Sequence, residues 1–461
     1  MNVSITFCGG AGTVTGSNFL VEALPAQAGD GKKFLVDCGM AQGGSFAEES
    51  NRAPFLYEPS SIELLIVTHA HIDHVGRIPL LVKRGFRGII YSTDATKELA
   101  RELLMDAVSV MRQEHRERGT AVLYEESDVE KALVNWKTIP YHAEQKIPGG
   151  LSFSFDVSGH ILGSSLVRLR PSGGGKTLMF TGDLGNPKNR ILPSAEEPKG
   201  VSYLVMESVY GNRKHEGGGE RAEKLESIAR ETIRRGGVLL IPAFATARTQ
   251  DLLFDLHELM RTNRLPRVPV FVDSPLGSSI TAIYRNHPEL YEPELQARAN
   301  AGEKIFAFPG LTFTDTREES RKIDAVRGPK IIIAGSGMSH GGRVLGHEAR
   351  YLPMSATTLL IVGYQSAGSL GRRLEEGAKE VEIEKKKVTV RASVETIFGY
   401  SAHMDGDALL SFAEAGAETI KKIFVVMGEP SASLFLAQRL NGYGGLYAVV
   451  PERGEKVEVD L

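Results

Sequence analysis

Cysteine is scarce in this chain: among its 461 residues, only Cys8 and Cys38 are cysteines. A scaffold held by disulfide bonds is therefore excluded, and we expect a reducing compartment, the cytoplasm. A strong charge of one sign is absent as well, because the net charge is only −3. Proteins that coat themselves with nucleic acid are strongly basic, so any nucleic-acid site in this chain must be a local patch.

Long hydrophobic runs are also missing. The longest, such as LLIV at 64–67, have the length of a strand, so we expect no membrane association. The N-terminal segment has neither a basic stretch nor a sustained apolar run, and no signal peptide is expected. What is present is an ordinary globular composition, 42% hydrophobic and 24% charged, over a length that predicts two domains.

The patterns of secondary structure differ along the chain. Residues 1–91 are predicted to form short strands separated by glycines, followed by a long helix after Thr93. Beyond Tyr210, helical segments alternate with buried strands such as VLLIPAF and KIIIAGS. This alternation is typical of a parallel sheet covered by helices on both faces. After about residue 385 the sequence predicts a strand (VTVRASV), a helix and a further strand, and the fold class is α/β.

A cluster of potential metal ligands directly follows the apolar run LLIV. The segment THAHIDH places His69, His71, Asp73 and His74 within six residues. A turn at the end of a strand can direct such side chains towards one centre. Imidazole nitrogen and carboxylate oxygen suit zinc, and this density of ligands is sufficient for two ions. The alternative is a chance cluster of surface histidines, which the position at a strand end disfavours.

Three further polar residues follow predicted strands in the same way. His160 comes after FSFDV, Asp183 after LMF, and Asp37 after FLV. Taken alone, His160 would be a structural histidine and Asp183 a turn residue. Combined with the first cluster, both are interpreted as metal ligands, and Asp37 as a carboxylate that orients a water molecule or a ligand histidine.

These segments together resemble the successive motifs of the metallo-β-lactamase superfamily. The resemblance implies an αββα sandwich with metals at one edge of its two sheets. It also implies a water molecule activated by zinc as the nucleophile. By the family's pattern, one zinc ion would bind His69, His71 and His160, a second would bind Asp73 and His74, and Asp183 would bridge the two.

The later motifs resemble those of the β-CASP nucleases within this superfamily. They read ESVYGNR at 207–213, PAFATAR at 242–248, SGMSHGGR at 336–343 and SAHMD at 401–405. The resemblance spans nearly the whole chain. It implies a metallo-β-lactamase domain formed by residues 1–207 and 385–461, with a parallel-sheet β-CASP domain inserted at 208–384.

Glu207 and His403 make chemical sense as a pair. Cleavage of a phosphodiester requires a proton for the departing 3′ oxygen, and a histidine held in its charged form by a carboxylate is a suitable acid. The resemblance therefore implies that Asp37, Asp183, Glu207 and His403 take part in catalysis. The alternative is that Glu207 pairs with an arginine and that His403 is structural.

One position departs from the family pattern. Where the β-CASP pattern has a histidine in a segment like VVHGE, this chain reads Val425–Glu429, VVMGE, with Met427 at the histidine position. A thioether suits copper(I) better than zinc. The second metal site is therefore expected to be weaker, to use water, to recruit Glu429 or to be empty, which leaves one or two zinc ions per chain. Alternatively, Met427 only packs.

Single-stranded RNA is the partner that the resemblance implies. Glycine-rich backbone before a helix can bind phosphate, although a tight turn is an equally simple interpretation of SGMSHGG. The expected phosphate contacts are Ser336, Gly337, Arg343, Arg372, Arg373 and Ser401.

The leading functional hypothesis is a zinc-dependent ribonuclease that cleaves internally, with 5′-exonuclease activity as an open addition. RNA rather than DNA follows from the resemblance, since water as nucleophile needs no 2′-hydroxyl. The alternatives are a small-molecule ester or thioester hydrolase, which the inserted domain disfavours, and an RNA-binding homologue with weakened catalysis. Site preference and oligomeric state, including a homodimer, are left open.

Overall fold

The computed structural model describes residues 1–24, 31–214, 218–363, 365–366, 368–442 and 445–461, and for residues 44–46 and 218–219 the backbone alone. The chain divides into two compact units. The first comprises Met1–Pro187, Pro193–Lys214 and His403–Leu461, and the second comprises residues 188–192 and 215–402. The boundaries given above for the inserted domain, residues 208 and 384, stay a prediction. Within the described ranges, no helix combines the length and apolar character needed to cross a bilayer.

The elements follow one another along the chain in the order predicted from periodicity. The strands are β1 Asn2–Gly9, β2 Asn18–Ala23, β3 Lys32–Val36, β4 Leu64–Ile66, β5 Ile89–Ser92, β6 Trp136–Thr138, β7 Gln145–Ile147, β8 Leu151–Val157, β9 Ser165–Pro171, β10 Leu178–Phe180, β11 Tyr203–Glu207, β12 Val238–Pro242, β13 Val270–Asp273, β14 Leu311–Phe313, β15 Lys330–Ala334, β16 Thr358–Ile361, β17 Glu380–Ile383, β18 Lys386–Thr389, β19 Ser393–Thr396, β20 Lys422–Val426, β21 Ala448–Val449 and β22 Lys456–Asp460. The helices are α1 Gly44–Arg52, α2 Ile72–Val75, α3 Ile78–Lys83, α4 Asp94–Arg118, α5 Glu126–Val134, α6 Gly218–Arg234, α7 Arg248–Arg261, α8 Pro275–Asn286, α9 Pro293–Asn300, α10 Arg317–Ile323, α11 Val344–Tyr351, α12 Leu370–Glu375, α13 Gly406–Glu414 and α14 Pro430–Gly442.

The first unit is built on two seven-stranded sheets, with strand orders β22-β1-β2-β3-β4-β5-β6 and β21-β20-β11-β10-β9-β8-β7. Their facing sides bury one apolar core, to which Phe7, Phe153 and Phe424 contribute. A second cluster joins the β10-β11-β20 sheet to α13 and α14 through residues such as Leu409 and Leu436. Helix α4 begins after Thr93, which caps it by accepting from the Thr96 amide at 3.3 Å. The predicted metallo-β-lactamase sandwich is confirmed.

The second unit contains a six-stranded sheet in the order β14-β13-β15-β12-β16-β19. Every neighbouring pair in this sheet is parallel. Its strands are short, apolar and buried, as for KIIIA at 330–334, because helices connect successive strands and cover the faces. The predicted parallel sheet of the inserted region is confirmed.

The segment VTVRASV, predicted as one strand, forms parts of two strands. β18 pairs with β17 in a two-stranded hairpin, whereas β19 joins the parallel sheet beside β16. The break lies where the amides of Arg391 and Ala392 both donate to the carbonyl oxygen of Leu352. Two consecutive amides that share one acceptor interrupt the regular ladder at this point, and the alternation of residue types does not reveal this.

The buried Glu348 on α11 should make the stability of the second unit depend on pH. Burial raises the pKa of this carboxyl to about 7, and one oxygen accepts from the hydroxyl of Ser339. Between pH 4.5 and 7 the unfolded chain releases this proton and the folded chain retains it. The free energy of unfolding should therefore fall as the pH rises through this window and level off above it.

Glu348→Gln should remove this dependence. At pH 8 the variant should be more stable by about 2–3 kcal/mol, and the advantage should vanish near pH 4, because both side chains are then neutral. Urea unfolding across this pH range measures the difference. Glu376→Gln, at an exposed position, is the control and should track the wild type. An equal effect of both substitutions would contradict the assignment.

Candidate metal centre and active site

The polar residues of the first unit follow the ends of strands at one edge of its two sheets. Asp37 follows β3 and His69 follows β4, and these strands are parallel. In the opposite sheet Asp183 follows β10, Glu207 ends β11 and Met427 follows β20, and these three strands are also parallel. Because parallel strands bring their carboxyl ends to the same edge, residues distant in sequence meet there.

Four donors form the tightest group at this edge. The Nδ1 atom of His71 lies 3.2 Å from Nε2 of His69 and 3.1 Å from Nε2 of His160. The Oδ2 atom of Asp183 lies 3.4 Å from Nε2 of His69 and 3.5 Å from Nε2 of His160. Donors arranged tetrahedrally at 2.0–2.1 Å from one ion lie about 3.3 Å apart. The spacing therefore fits a single tetrahedral divalent ion.

A second pair of donors adjoins this group. Nε2 of His74 lies 3.3 Å from Oδ1 of Asp183 and 4.0 Å from Oδ2 of Asp73. Both Nε2 of His74 and Oδ1 of Asp183 are buried without a directed hydrogen bond. Buried polar atoms without partners are costly, and a cation between them would satisfy both. The residues fit a second ion, but with fewer donors than the first.

Asp37 contacts the ring of His74, and residues that sequence reasoning assigned no role, Thr68, Ser17 and Asn18, hold Asp37 in place. Asp37 accepts from the amide of Thr68 at 2.8 Å and from the hydroxyls of Thr68 and Ser17, and its Oδ2 atom lies 2.7 Å from Nδ1 of His74. The Asn18 amide donates to the Asp37 carbonyl oxygen. Asp37 thus fixes the ring of His74 and directs Nε2 towards Asp183. The position of Thr68 directly before His69 was the signal in the sequence that could have suggested its role.

One glycine is required at this edge by a close approach of the backbone. A Cβ atom at Gly39 would lie 1.6 Å from the carbonyl oxygen of Asp73. The same loop is held by the amide of Cys38, which donates to the carbonyl oxygen of His74 at 2.8 Å. The ligand loop therefore packs directly against the loop after β3, and any larger residue at 39 should displace Asp73.

The electrostatics favour the ligand form of the histidines. Burial holds the pKa of His71 and His160 well below the ordinary value, so both rings are neutral and have a lone pair to donate. Burial alone would raise the pKa of Asp183, but the neighbouring imidazoles, first His74 and then His69, hold it well below its usual range. Asp183 is therefore an anion at the centre of the cluster.

Glu207 and His403 form the predicted pair. Oε1 of the buried Glu207 lies 3.2 Å from Nδ1 of His403 and accepts from the amide of Leu184 at 2.6 Å. Burial lowers the pKa of His403, but the Glu207 carboxylate outweighs this and raises it to about 9. Nδ1 of His403 lies 4.0 Å from Oδ2 of Asp183, so the imidazole of His403 borders the cluster of potential metal ligands.

Met427 belongs to the apolar core between the sheets. It is 2% exposed, has a left-handed backbone at φ 49°, and its amide donates to the carbonyl oxygen of Gly10 at 2.6 Å. Its sulfur would lie 2.5 Å from a Cβ atom at Gly10, so Gly10 leaves room for the thioether. Glu429 is exposed and belongs to no group of three potential metal ligands within the described ranges.

The predicted phosphate contacts lie on the second unit. Ser336 and Gly337 are in the loop between β15 and α11. Arg343 is occupied structurally: it donates to Asp273 at 2.6 Å and to the carbonyl oxygen of Thr314 at 2.8 Å. Arg372 and Arg373 lie on α12, where Arg372 pairs with Glu375 and Glu376 and Arg373 is exposed. Ser401 lies in the segment after β19 and is buried.

The sandwich fold and the donor set define a metal-dependent hydrolase. The profile of the metallo-beta-lactamase superfamily matches residues 12–226. The profile of the Beta-Casp domain matches 249–374, and that of the Zn-dependent metallo-hydrolase RNA specificity domain matches 387–451. The chain belongs to the β-CASP group of the metallo-β-lactamase superfamily.

Two curated relatives match this chain over nearly their whole length. A ribonuclease of Thermus thermophilus is 35% identical over 432 residues, which cover 94% of either chain. An RNase J-like protein of Methanocaldococcus jannaschii is 30% identical over 92% of this chain and 93% of its own. The transcription termination factor FttA of Methanosarcina mazei is 31% identical over 94% of this chain and 68% of its own. A crystal structure of a protein of unknown function from Enterococcus faecalis shares the fold, with a TM-score of 0.57, 12% identity and full coverage of both chains.

Proposed function

We propose that the protein is a zinc-dependent ribonuclease that hydrolyses phosphodiester bonds within single-stranded RNA in the cytoplasm, with trimming from the 5′ end as a second activity. The observation that carries the proposal is the tetrahedral spacing of His69, His71, His160 and Asp183 beside the Glu207–His403 pair. The names of the relatives, a ribonuclease and an RNase J-like protein, support RNA as the substrate.

The chain's own residues supply positioning and proton transfer. Zinc, when bound, acts as a Lewis acid on a phosphoryl oxygen and makes water acidic enough to react at neutral pH. His74 is held by Asp37, and His403 is held by Glu207 through Nδ1. Proton transfer to the departing 3′ oxygen is therefore assigned to Nε2 of His403. Hydrolysis then leaves a 5′-phosphate and a 3′-hydroxyl.

The glycine-rich loop of the second unit is proposed to contact RNA phosphate. The hydroxyl of Ser336 accepts from the amide of His340 at 3.1 Å, which gives the loop a fixed shape. Ser336, Gly337 and the exposed Arg373 remain candidates, and Ser401 is retained from the sequence. Arg343 is a poor candidate, because Asp273 and two backbone carbonyl groups already occupy its guanidinium.

The test combines metal content with cleavage of labelled single-stranded RNA. The purified protein should contain zinc and cleave a circular RNA, which has no ends, and a chelator should abolish both. Release of mononucleotides from the 5′ end of a linear RNA would add the exonuclease activity. Hydrolysis of a thioester substrate tests the first alternative, a small-molecule hydrolase. Binding of RNA without cleavage by the zinc-loaded protein would establish the second alternative.

Occupancy of the two metal sites should be unequal. Met427 lies against Gly10 in the apolar core, and the second site has Asp73, His74 and shared Asp183 as its protein donors. We expect one ion that survives dialysis and one labile ion, with activity rising when zinc is added. Metal analysis per chain before and after dialysis measures this.

Substitution of Met427 separates packing from ligation. Met427→Leu should leave both the metal content and the rate on RNA unchanged, because leucine packs but cannot ligate. Met427→His should increase the amount of the labile ion and leave the tight ion unaffected. Two equally tight ions in the natural chain would show that another group replaces the missing imidazole.

A further inference from the structure

The second unit exposes two aromatic rings at one edge of its parallel sheet. Phe244 follows β12 and is 42% exposed, and Phe398 follows β19 and is 53% exposed. Both strands run in the same direction in that sheet, so both rings lie at the carboxyl edge. Among the described residues of this unit, Met354 is the other large apolar side chain exposed to this degree. Exposed aromatic rings are thus concentrated where parallel sheets place ligand contacts.

The backbone around Phe244 is fixed on both sides. The amide of Ala243 donates to the carbonyl oxygen of Ala334 at 3.0 Å, which joins this loop to the end of β15. The carbonyl oxygen of Phe244 accepts from the hydroxyl of Thr249 at 2.7 Å, and the buried Gln250 donates to the carbonyl oxygen of Ala245 at 3.1 Å. The exposed ring is therefore held by a rigid loop and loses little entropy when a flat partner binds.

Gly337 seats the ring against the glycine-rich loop. A Cβ atom at Gly337 would lie 2.8 Å from Cδ2 and 3.0 Å from Cε2 of Phe244. A side chain at 337 would thus collide with the ring. Because Gly337 has none, the ring lies against a glycine backbone and remains partly exposed. An aromatic ring backed by a polar, glycine-rich loop offers a stacking surface, whereas docking of a protein requires a larger contiguous apolar patch.

We infer that Phe244 is a stacking platform for a nucleobase of single-stranded RNA, an inference that rests on the proposed function. Every base has a π-face, so such a platform binds single strands without reading their sequence. It would hold the chain of nucleotides while the Ser336–Gly337 loop lies beside it. Phe244 would contribute to binding of RNA and not to the chemistry at the metal cluster.

The experiment compares Phe244→Ala, Phe244→Leu and Phe244→Trp in the zinc-loaded protein. Ala and Leu should each raise KM for single-stranded RNA by about 5- to 150-fold, the usual worth of one base–aromatic stack, whereas Trp should retain wild-type KM or lower it. Hydrolysis of bis(p-nitrophenyl) phosphate, which has no base, should be unchanged in all three. The dependence of binding on salt should also keep its slope, because no phosphate contact is lost.

An RNA series with abasic nucleotides at successive positions identifies the stacked base. At one position, loss of the base should weaken the wild type as much as Phe244→Ala does, and the two changes together should have no additional effect. Phe435→Ala, at an equally exposed phenylalanine of α14, is the matched control and should not change KM.

A failure of this inference can be distinguished from a failure of the proposed function. If the wild type does not cleave RNA, the proposed function fails before any variant is compared. If the wild type cleaves RNA and Phe244→Leu matches it, the ring acts through its apolar volume and stacking is contradicted. If a variant also loses activity on bis(p-nitrophenyl) phosphate, Phe244 is needed for the folded structure, and this result would also overturn the inference.

Discussion

Asp183→Asn is expected to reduce the rate of RNA hydrolysis by at least about 10⁴-fold, because the metal cluster provides most of the chemistry. The carboxylate faces His69 at 3.4 Å, His160 at 3.5 Å and His74 at 3.3 Å, so both groups of donors lose their shared anion. Asparagine keeps the size but removes the charge. Metal content per chain should fall together with the rate.

Asp407→Asn provides the control. This aspartate lies on α13 in the same unit and pairs with Lys214 and Arg439 at the surface. Its loss should leave metal content and rate within experimental error. Full metal content and a rate within tenfold of the wild type for Asp183→Asn would show that Asp183 does not bind the metal. Thermal unfolding of the variants distinguishes loss of the site from loss of the fold.

His403→Ala should keep the metal and slow RNA cleavage by about 10²–10⁴-fold, the usual worth of a positioned acid. The ring is oriented by Glu207 at 3.2 Å and lies outside the tetrahedral donor group. The effect should depend on the leaving group. A p-nitrophenolate departs without a proton, so hydrolysis of bis(p-nitrophenyl) phosphate should be slowed much less than cleavage of RNA.

His142→Ala is the matched control for this prediction. His142 also pairs with a glutamate, since its Nε2 lies 2.8 Å from Oε1 of Glu196, but this pair is largely exposed. The substitution should leave both substrates unaffected. Unchanged turnover of RNA by His403→Ala would make His403 structural, and equal losses on both substrates would assign it a role other than protonation.

The convergence of the potential metal ligands could be predicted because its determinants are local. His69, His71, Asp73 and His74 follow one apolar strand, and His160 and Asp183 each follow another, so the strand ends define their positions. The partners of the orienting residues could not be predicted. Asp37 was interpreted as a carboxylate that orients a water molecule or a ligand histidine, but its partner His74 lies 37 positions away, and the pairing is visible only when β3 and β4 lie side by side.

Arginine residues were the least predictable part of the site. A guanidinium can bind an RNA phosphate or a buried carboxylate with the same geometry, and the sequence does not distinguish these partners. Arg343 precedes α11 in a glycine-rich segment, yet it binds Asp273, 70 positions away. The same limit applies to VTVRASV, whose alternation suits a strand but does not indicate that two sheets share it.

Because the first unit is discontinuous in sequence, its parts are synthesised at different times. Strand β1 pairs with β22, which comes much later in the sequence, and Glu207 on β11 lies beside β20. During synthesis, all six proposed metal-binding residues emerge well before His403 does. The proposed metal ligands are therefore made before the proposed proton donor. The ribosome and the message being translated are the nearest RNA, and the activity proposed for this site would be delayed until His403 and the strands that follow it have been made.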